Sequence, residues 1–395
     1  MNWLVAENEL DYQQREFLKA LEGNPRHQWI QGFPGSGKTI MLLYAAKRLR
    51  ELHPEAEILF VEFTHSLIKM LRAAIDQLPY KDIQVVTYYD FMDHATPLYK
   101  YDYILCDEVQ DIPMRVLDLI RMSAHHVILA GDSTQSIYTK DPQWGEPVCT
   151  SDQIQTIFHP EITRLNIIHR LTKPVIRAIH AFMPELRFAF DHPSMVKKNV
   201  QIRLWRFRSP KEEVGKILEE ATLMVKEGKS VGILFAHHRD VVRFANQTLV
   251  NAHRPRWKKS RDRFGNCEYD KMNDHLKENH IPIQYLANGW GSFFEGEGKI
   301  TLTTYHSSKG LDFDTVFLPF CEGEFDEDSP DHKTLFMVAM SRSRENLFIS
   351  YSGIHVSRLV RAFAEECNVI DWTNEDQGSL FDAVNLPTDD FGFFS

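Results

Sequence analysis

Residues Gly32-Phe33-Pro34-Gly35-Ser36-Gly37-Lys38-Thr39 have the types and spacing of a phosphate-binding loop, GxxxxGK[ST]. Glycines at these positions let backbone N–H groups wrap a phosphate. Lys38 is placed to reach the β- and γ-phosphates, and the Thr39 hydroxyl to bind Mg2+. Gly32, Gly35, Ser36 and Gly37 are expected to line the nucleotide. Such chemistry needs a second metal ligand and a group that orients water. The apolar run Tyr103-Ile104-Leu105-Cys106 ends in two adjacent acids, Asp107 and Glu108. Asp107 is expected to hold Mg2+, and Glu108 to polarise the attacking water. ATP and Mg2+ are therefore the expected ligands.

Further segments fall in a fixed order around this pair. Leu10-Asp11-Tyr12-Gln13-Gln14-Arg15 precedes the loop, and Asp107-Glu108-Val109-Gln110-Asp111 continues the acids. Gly131 to Tyr138 reads GDSTQSIY, and Leu165 to Thr172 reads LNIIHRLT. Thr304 to Phe313 reads TYHSSKGLDF, and Val338 to Arg342 reads VAMSR. On these residues the chain resembles the UvrD/Rep-like branch of superfamily 1 helicases over most of residues 8–351. The resemblance implies that Gln14 reads adenine and that Gln135 senses the γ-phosphate. It implies that Arg170 and Arg342 are arginine fingers, that His169 stands where a tyrosine stacks on adenine, and that Gly310 and Asp312 lie at the nucleotide. For nucleic acid, Phe63-Thr64-His65 is similar to the family's FTN motif and Thr87-Tyr88 to its TFH motif. Tyr138, Trp144, His306 and Lys309, with Tyr305 beside them, fall near its other strand contacts.

The sequence departs from that pattern in three places. Ile168-His169 replaces Asn-Tyr before Arg170. Lys140 and Asp141 stand where the family offers an aromatic residue and an Arg, with Trp144 the nearest aromatic. The connections from Thr64 to Thr87, Thr87 to Asp107 and Asn288 to Ile300 are too short for the large accessory insertions. The extra segment, residues 251–279, holds Arg254, Arg256, Lys258, Lys259, Arg261 and Arg263, with Trp257 and Phe264 interleaved. Cations for phosphate and aromatic faces for bases suit a single strand. Arg256, Lys258 and Lys259 are its expected contacts.

The elements that position these residues are legible as apolar runs separated by helical patterns. Strands are expected at residues 28–31, 58–63, 83–88, 103–107 and 126–130. A second series follows at 201–207, 231–235, 283–286, 300–304, 315–320 and 347–351. Continuous apolar runs of this kind indicate parallel strands buried on both faces. Ser209 and Pro210 form an N-cap and first-turn pair for a helix running to Gly228. The fold class is α/β, and the resemblance makes it two RecA-like P-loop NTPase lobes with the ATP site between them. The expected division is a first lobe at 1–155, a second at 156–370 carrying both arginines, and an acidic flexible tail at 371–395.

The chain has 395 residues, five scattered cysteines and a net charge of −10. The composition excludes collagen, coiled coil and wholesale disorder. The cysteine spacing argues against a disulfide scaffold and for a reducing, cytoplasmic setting. Neither a leader nor a membrane-spanning run is visible. The acid is concentrated: the last 34 residues hold eight acidic and no basic side chains, and residues 321–331 hold six more acids. The rest is near +4, so overall acidity does not exclude nucleic acid. In the tail, Gln377-Gly378-Ser379-Leu380-Phe381 resembles the bacterial sliding-clamp-binding pentapeptide. Gln377, Ser379, Leu380 and Phe381 would be its anchors.

The expected function is an ATP-dependent single-stranded-DNA translocase or helicase, 3′ to 5′ by resemblance, in repair, replication or defence. The alternative is a nucleic-acid-gated ATPase switch within a larger assembly. RNA is the third possibility.

Overall fold

The computed structural model describes residues 6–23, 26–62, 68, 71–72, 74–78, 82–95, 99–132, 140–141, 144–169, 171–184, 186, 202–263, 265, 267–286, 300–322 and 330–374. The chain divides into two compact units. The first comprises Met1–Ile176, Met183–Asn199 and Pro330–Ser341, and the second the remainder.

The first unit holds a six-stranded parallel sheet in the order β3-β2-β4-β5-β1-β6. Its strands are β1 (Gln28–Gly32), β2 (Ile58–Glu62), β3 (Gln84–Thr87), β4 (Tyr101–Cys106), β5 (Ala124–Gly131) and β6 (Glu161–Leu165). Successive side chains of a strand point to opposite faces. Ile30, Phe60, Leu105 and Ile128 accordingly join one apolar cluster, with helices α1 (Tyr12–Gly23) and α2 (Lys38–Leu52). Trp29, Leu59, Ile104 and Leu129 join another, with the helices Tyr88–His94, Met114–Met122 and Ser151–Phe158. Burial on both faces is why these strands read as unbroken apolar runs.

The second unit holds a seven-stranded parallel sheet in the order β13-β7-β12-β11-β8-β10-β9. Its strands are β7 (Ile202–Phe207), β8 (Val231–Phe235), β9 (Ile283–Tyr285), β10 (Ile300–Thr304), β11 (Phe313–Leu318), β12 (Ser343–Ser352) and β13 (Cys367–Asp371). One face packs on the helices Pro210–Lys226, His238–Asn251 and Tyr269–Glu278. The first of these starts as its sequence predicts: Pro210 is in the first turn, and the Ser209 hydroxyl accepts from the Glu212 N–H.

Two strands escape the sequence pattern, and both lie at sheet edges. β13 is short and half exposed, with Val369 open to solvent. β6 reads Glu-Ile-Thr-Arg-Leu, with only Leu165 buried. Because β6 pairs with β1 (Ile30 opposite Thr163), the first unit runs to Ile176 and does not end near residue 155. The stretch around Arg170 therefore belongs to the first unit, not to the second as its motif order suggests; Arg170 itself lies outside the described residues.

A buried carboxyl props one turn of the second unit. Glu213 Oε1 accepts from the Phe320 N–H at 2.9 Å and from the Ser350 hydroxyl at 2.6 Å. Phe320 has φ +61°, so this bond holds a backbone conformation that a side-chain-bearing residue rarely adopts. Burial, with Glu322 nearby, pushes the Glu213 carboxyl up to about 7 from 4.5. A carboxyl raised by folding favours the folded state most when protonated. That contribution is complete below about pH 4.5 and is lost as pH rises through about 7. Glu213→Gln keeps the accepting oxygen and removes the charge. Its melting temperature should exceed that of the parent by a few degrees at pH 8, for on the order of 2 kcal/mol, and match it near pH 4.5. Calorimetric melts across that range check this, and equal melting temperatures at pH 8 would refute it.

Candidate active site

The phosphate loop forms where the sequence requires it. β1 ends at Gly32, and α2 begins at Lys38 directly after Gly37, which has φ +88° and no side-chain cap. A Cβ on Gly37 would lie 2.9 Å from Gln14 Nε2, so both its left-handed backbone and the close approach of Gln14 call for glycine. Gln14 Nε2 donates to the Ser36 carbonyl at 3.2 Å. Its backbone N–H and its Oε1 exchange bonds with Asp11 in a capping pair at the start of α1. The Lys38 ammonium donates to the Gly32 carbonyl at 2.6 Å. The Ser36 hydroxyl is buried with no hydrogen-bond partner among the described residues. A buried unpaired donor beside a helix N-terminus is suited to an anion.

His169 comes to the same loop. Its N–H donates to the Gly35 carbonyl at 2.9 Å, and its ring Nε2 lies 2.7 Å from Asp11 Oδ2. Burial alone would raise the Asp11 carboxyl, but the bonds from His169 and from the Gln14 N–H hold it below the usual range. Gln14 and His169, 155 positions apart, are thus brought to one edge of the loop through Asp11. No sequence signal joins Asp11 to His169.

The two acids sit at the end of β4. The Thr39 hydroxyl donates to Asp107 Oδ2 at 2.6 Å. Burial and the neighbouring Glu108 charge push the Asp107 carboxyl up to about 6, against the Thr39 bond that lowers it. A divalent cation would relieve that buried charge. Among the described residues, no group of three or more His, Cys, Asp or Glu side chains forms a metal cage. A hydroxyl and one carboxylate suit Mg2+, which takes few protein ligands and completes its shell with water and phosphate oxygens.

Glu108 occupies the left-handed region, φ +51° and ψ +38°, and opens the short 3-10 turn Val109–Asp111. Non-glycine residues adopt this conformation rarely and at some cost, often at functional sites. The turn carries Gln110 back onto Glu108: Gln110 Nε2 donates to Glu108 Oε2 at 2.6 Å. Gln110 Oε1 accepts the Asp132 N–H at 3.0 Å. In the sequence Gln110 stands inside the Asp107–Asp111 motif with no role attached to it.

The second unit carries the other candidates. Arg342 is buried; its guanidinium donates to the Leu311 carbonyl at 3.4 Å, and its own carbonyl accepts from the Phe313 N–H. Gly310 has φ +79°, and Asp312 faces Arg344 at 3.6 Å.

Several expected nucleic-acid contacts are corrected. Tyr88 is 0% exposed; its hydroxyl donates to Asp141, and it packs in the apolar core of the first sheet. It offers no face to a base. Thr87 is also buried, spent as the N-cap of Tyr88–His94 in a capping box with Asp90. Trp144 is half-buried, edge-on to Tyr88 and Tyr89, and the Arg115 guanidinium covers its ring at 3.9 Å. Tyr305 is buried and Lys309 only 4% exposed, leaving half-buried His306 as the more open side chain of that turn. Trp257 is not a stacking platform either: it is buried in the second core, and its backbone N–H donates to Asn246 Oδ1 at 2.7 Å. It anchors the basic segment, and Arg254, Arg256, Lys258, Lys259, Arg261 and Arg263 are all exposed around it. Phe63, Thr64, His65, Gln135, Tyr138 and the tail residues Gln377, Ser379, Leu380 and Phe381 lie outside the described residues. No helix among the described residues is long and apolar enough to cross a membrane.

Two family models match the chain in sequence order. One described as an AAA domain matches residues 14–141, and one described as a UvrD-like helicase C-terminal domain matches residues 261–353. No curated protein matches by sequence. Among solved structures, the arterivirus nonstructural protein 10 helicase in complex with DNA is 16% identical, with a TM-score of 0.42. That match covers 88% of this chain and 65% of the viral chain, so this chain spans just under two-thirds of its length. The C-terminal domain of a possible DNA helicase from Lactobacillus plantarum WCFS1 is 12% identical, with a TM-score of 0.33, over 51% of this chain and 99% of that one. Similarity at these values adds nothing to what the two parallel sheets already display.

Proposed function

We propose that this chain is a UvrD-like helicase of superfamily 1, an ATP-driven translocase acting on single-stranded DNA, a reading supported by the two matching family models in sequence order. The single observation that carries the hydrolytic part is the meeting of Thr39 and Asp107 at 2.6 Å at the head of α2, 68 positions apart in the chain. The loop N–H groups and Lys38 bind and orient the phosphates. Bound Mg2+ would neutralise phosphate charge as the bond to the leaving oxygen breaks. Glu108 orients a water and takes its proton as the water oxygen bonds to the terminal phosphorus. Gln14 and His169 border the loop where a base would lie. Gln135, Arg170 and Arg342 are proposed, by resemblance, as the groups that sense and stabilise the transferred phosphate. A 3′ to 5′ direction rests on the same resemblance.

The exposed cations around Trp257 support the nucleic-acid part, because phosphate charge dominates such binding and releases counterions. Replacing Arg256, Lys258 and Lys259 together with Ala should weaken binding to a single-stranded oligonucleotide. It should also reduce the slope of log affinity against log salt by about 2, at roughly 0.7 per lost phosphate contact. Fluorescence anisotropy across a salt series measures both, and an unchanged slope would remove this segment from the interface.

The short connections favour a second reading. Only 21 residues separate β2 from β3, and 14 separate β9 from β10, so neither connection holds an inserted domain to pry a duplex open. On this reading the chain is a nucleic-acid-gated ATPase switch. ATPase rates with single-stranded DNA, duplex DNA and RNA, alongside a strand-displacement assay, separate the two. The translocase reading expects the largest stimulation from single-stranded DNA, up to the roughly 10³–10⁵-fold that an arginine finger supplies. Stimulation without displacement or movement selects the switch, and equal rates with all three polymers and with none would sink both.

A further inference from the structure

Gln110 is 2% exposed and makes two side-chain bonds, and both lead to groups that matter for hydrolysis. Its amide N–H holds one oxygen of the Glu108 carboxylate. Its carbonyl oxygen holds the backbone N–H of Asp132, immediately ahead of the segment that contains Gln135 in sequence. Gly131 makes room for it: a Cβ there would fall 2.3 Å from Gln110 Oε1 and 2.7 Å from Val109 Cγ1. Glycine at 131 is thus explained by the close approach of this side chain.

We propose that Gln110 is a positioning residue for hydrolysis, fixing the water-activating carboxylate of Glu108 and tying it to the start of the phosphate-sensing segment. The proposal rests on the reading of Glu108 as the base. An N–H donor on one carboxylate oxygen fixes the orientation in which the Glu108 carboxylate meets a reacting water. Through the same amide, any shift of Asp132 moves the Glu108 carboxylate. This is a direct mechanical link between the sensing segment and the base. A buried glutamine that merely satisfied the turn would serve the fold, and its loss would not act through Glu108.

The test uses the full chain with single-stranded DNA as activator. Gln110→Met keeps length and volume and removes both bonds. It should lower kcat about 10- to 100-fold, part of the roughly 10²–10⁴ that a positioned base contributes, with KM for ATP within about twofold. Gly131→Ala displaces Gln110 without altering it and should give the same signature more weakly, which covers the case where Gln110→Met folds poorly. Adding Gln110→Met to Glu108→Gln should cost almost nothing further, since both act through one carboxylate. Additive losses, or a kcat within about twofold of the parent in the folded variant, would overturn the proposal. Failure of the base reading shows separately, as retained turnover in Glu108→Gln alone.

Discussion

Lys38→Ala is expected to lose nucleotide turnover by at least about 10²–10³-fold while the chain stays folded. Removal of one preorganised charge from a transition state typically costs that much. The loop is otherwise built from glycines, Ser36 and neutral backbone, so no other cation of residues 32–39 replaces it. The ammonium is already aimed across the loop, donating to the Gly32 carbonyl at 2.6 Å. That bond is short-range and lies at the mouth of the loop, whereas the core beneath rests on Met41, Leu42, Ala45 and Leu49. The melting temperature should therefore fall by no more than a few degrees. Phosphate release and thermal melts on the same sample check both halves. Turnover within twofold of the parent in a folded variant would remove the loop from catalysis.

Glu108→Gln should slow hydrolysis by about 10²–10⁴-fold and leave ATP affinity within a few-fold of the parent. The substitution keeps shape and an accepting oxygen for the Gln110 N–H, so the 3-10 turn has no reason to rearrange. What disappears is the capacity to take a proton. A second consequence is electrostatic. The Glu108 charge helps push the Asp107 carboxyl up to about 6, so neutralising it lowers Asp107 toward its ordinary value. Mg2+ binding to the variant should persist to lower pH than in the parent. Single-turnover hydrolysis and a Mg2+ titration at pH 5 and pH 7 measure these effects. Parent-like hydrolysis would discard Glu108 as the base, and an unmoved pH dependence of Mg2+ binding would discard the coupling to Asp107.

The phosphate loop was legible because its chemistry is local: eight consecutive residues supply the glycines, the cation, the hydroxyl and the helix start. The central strands were legible for a related reason. A strand buried on both faces must be apolar at nearly every position, as Ile58 to Val61 are. Edge strands carry no such demand, and β6 and β13 were missed for that reason. The cost was a misplaced boundary, because residues 161–165 join the first sheet through backbone pairing to β1, and backbone pairing leaves no mark on side-chain type.

The aromatic residues show the same limit. Tyr88 sits in a motif-like context, and its sequence neighbours do not reveal that Asp141, 53 positions later, takes its hydroxyl. Trp257 stands among cations and reads as a stacking platform until Asn246 and the second core are seen to hold it. By itself, the sequence determined a phosphate-binding loop with paired acids, two α/β series of buried parallel strands, a cationic segment and an acidic C-terminal stretch. Tertiary structure alone decided that Thr39 meets Asp107, that Gln110 bridges Glu108 to Asp132, and which aromatics are buried. Those outcomes depend on strand order and register, which bring together residues tens of positions apart, and no local pattern of residue types encodes such distances.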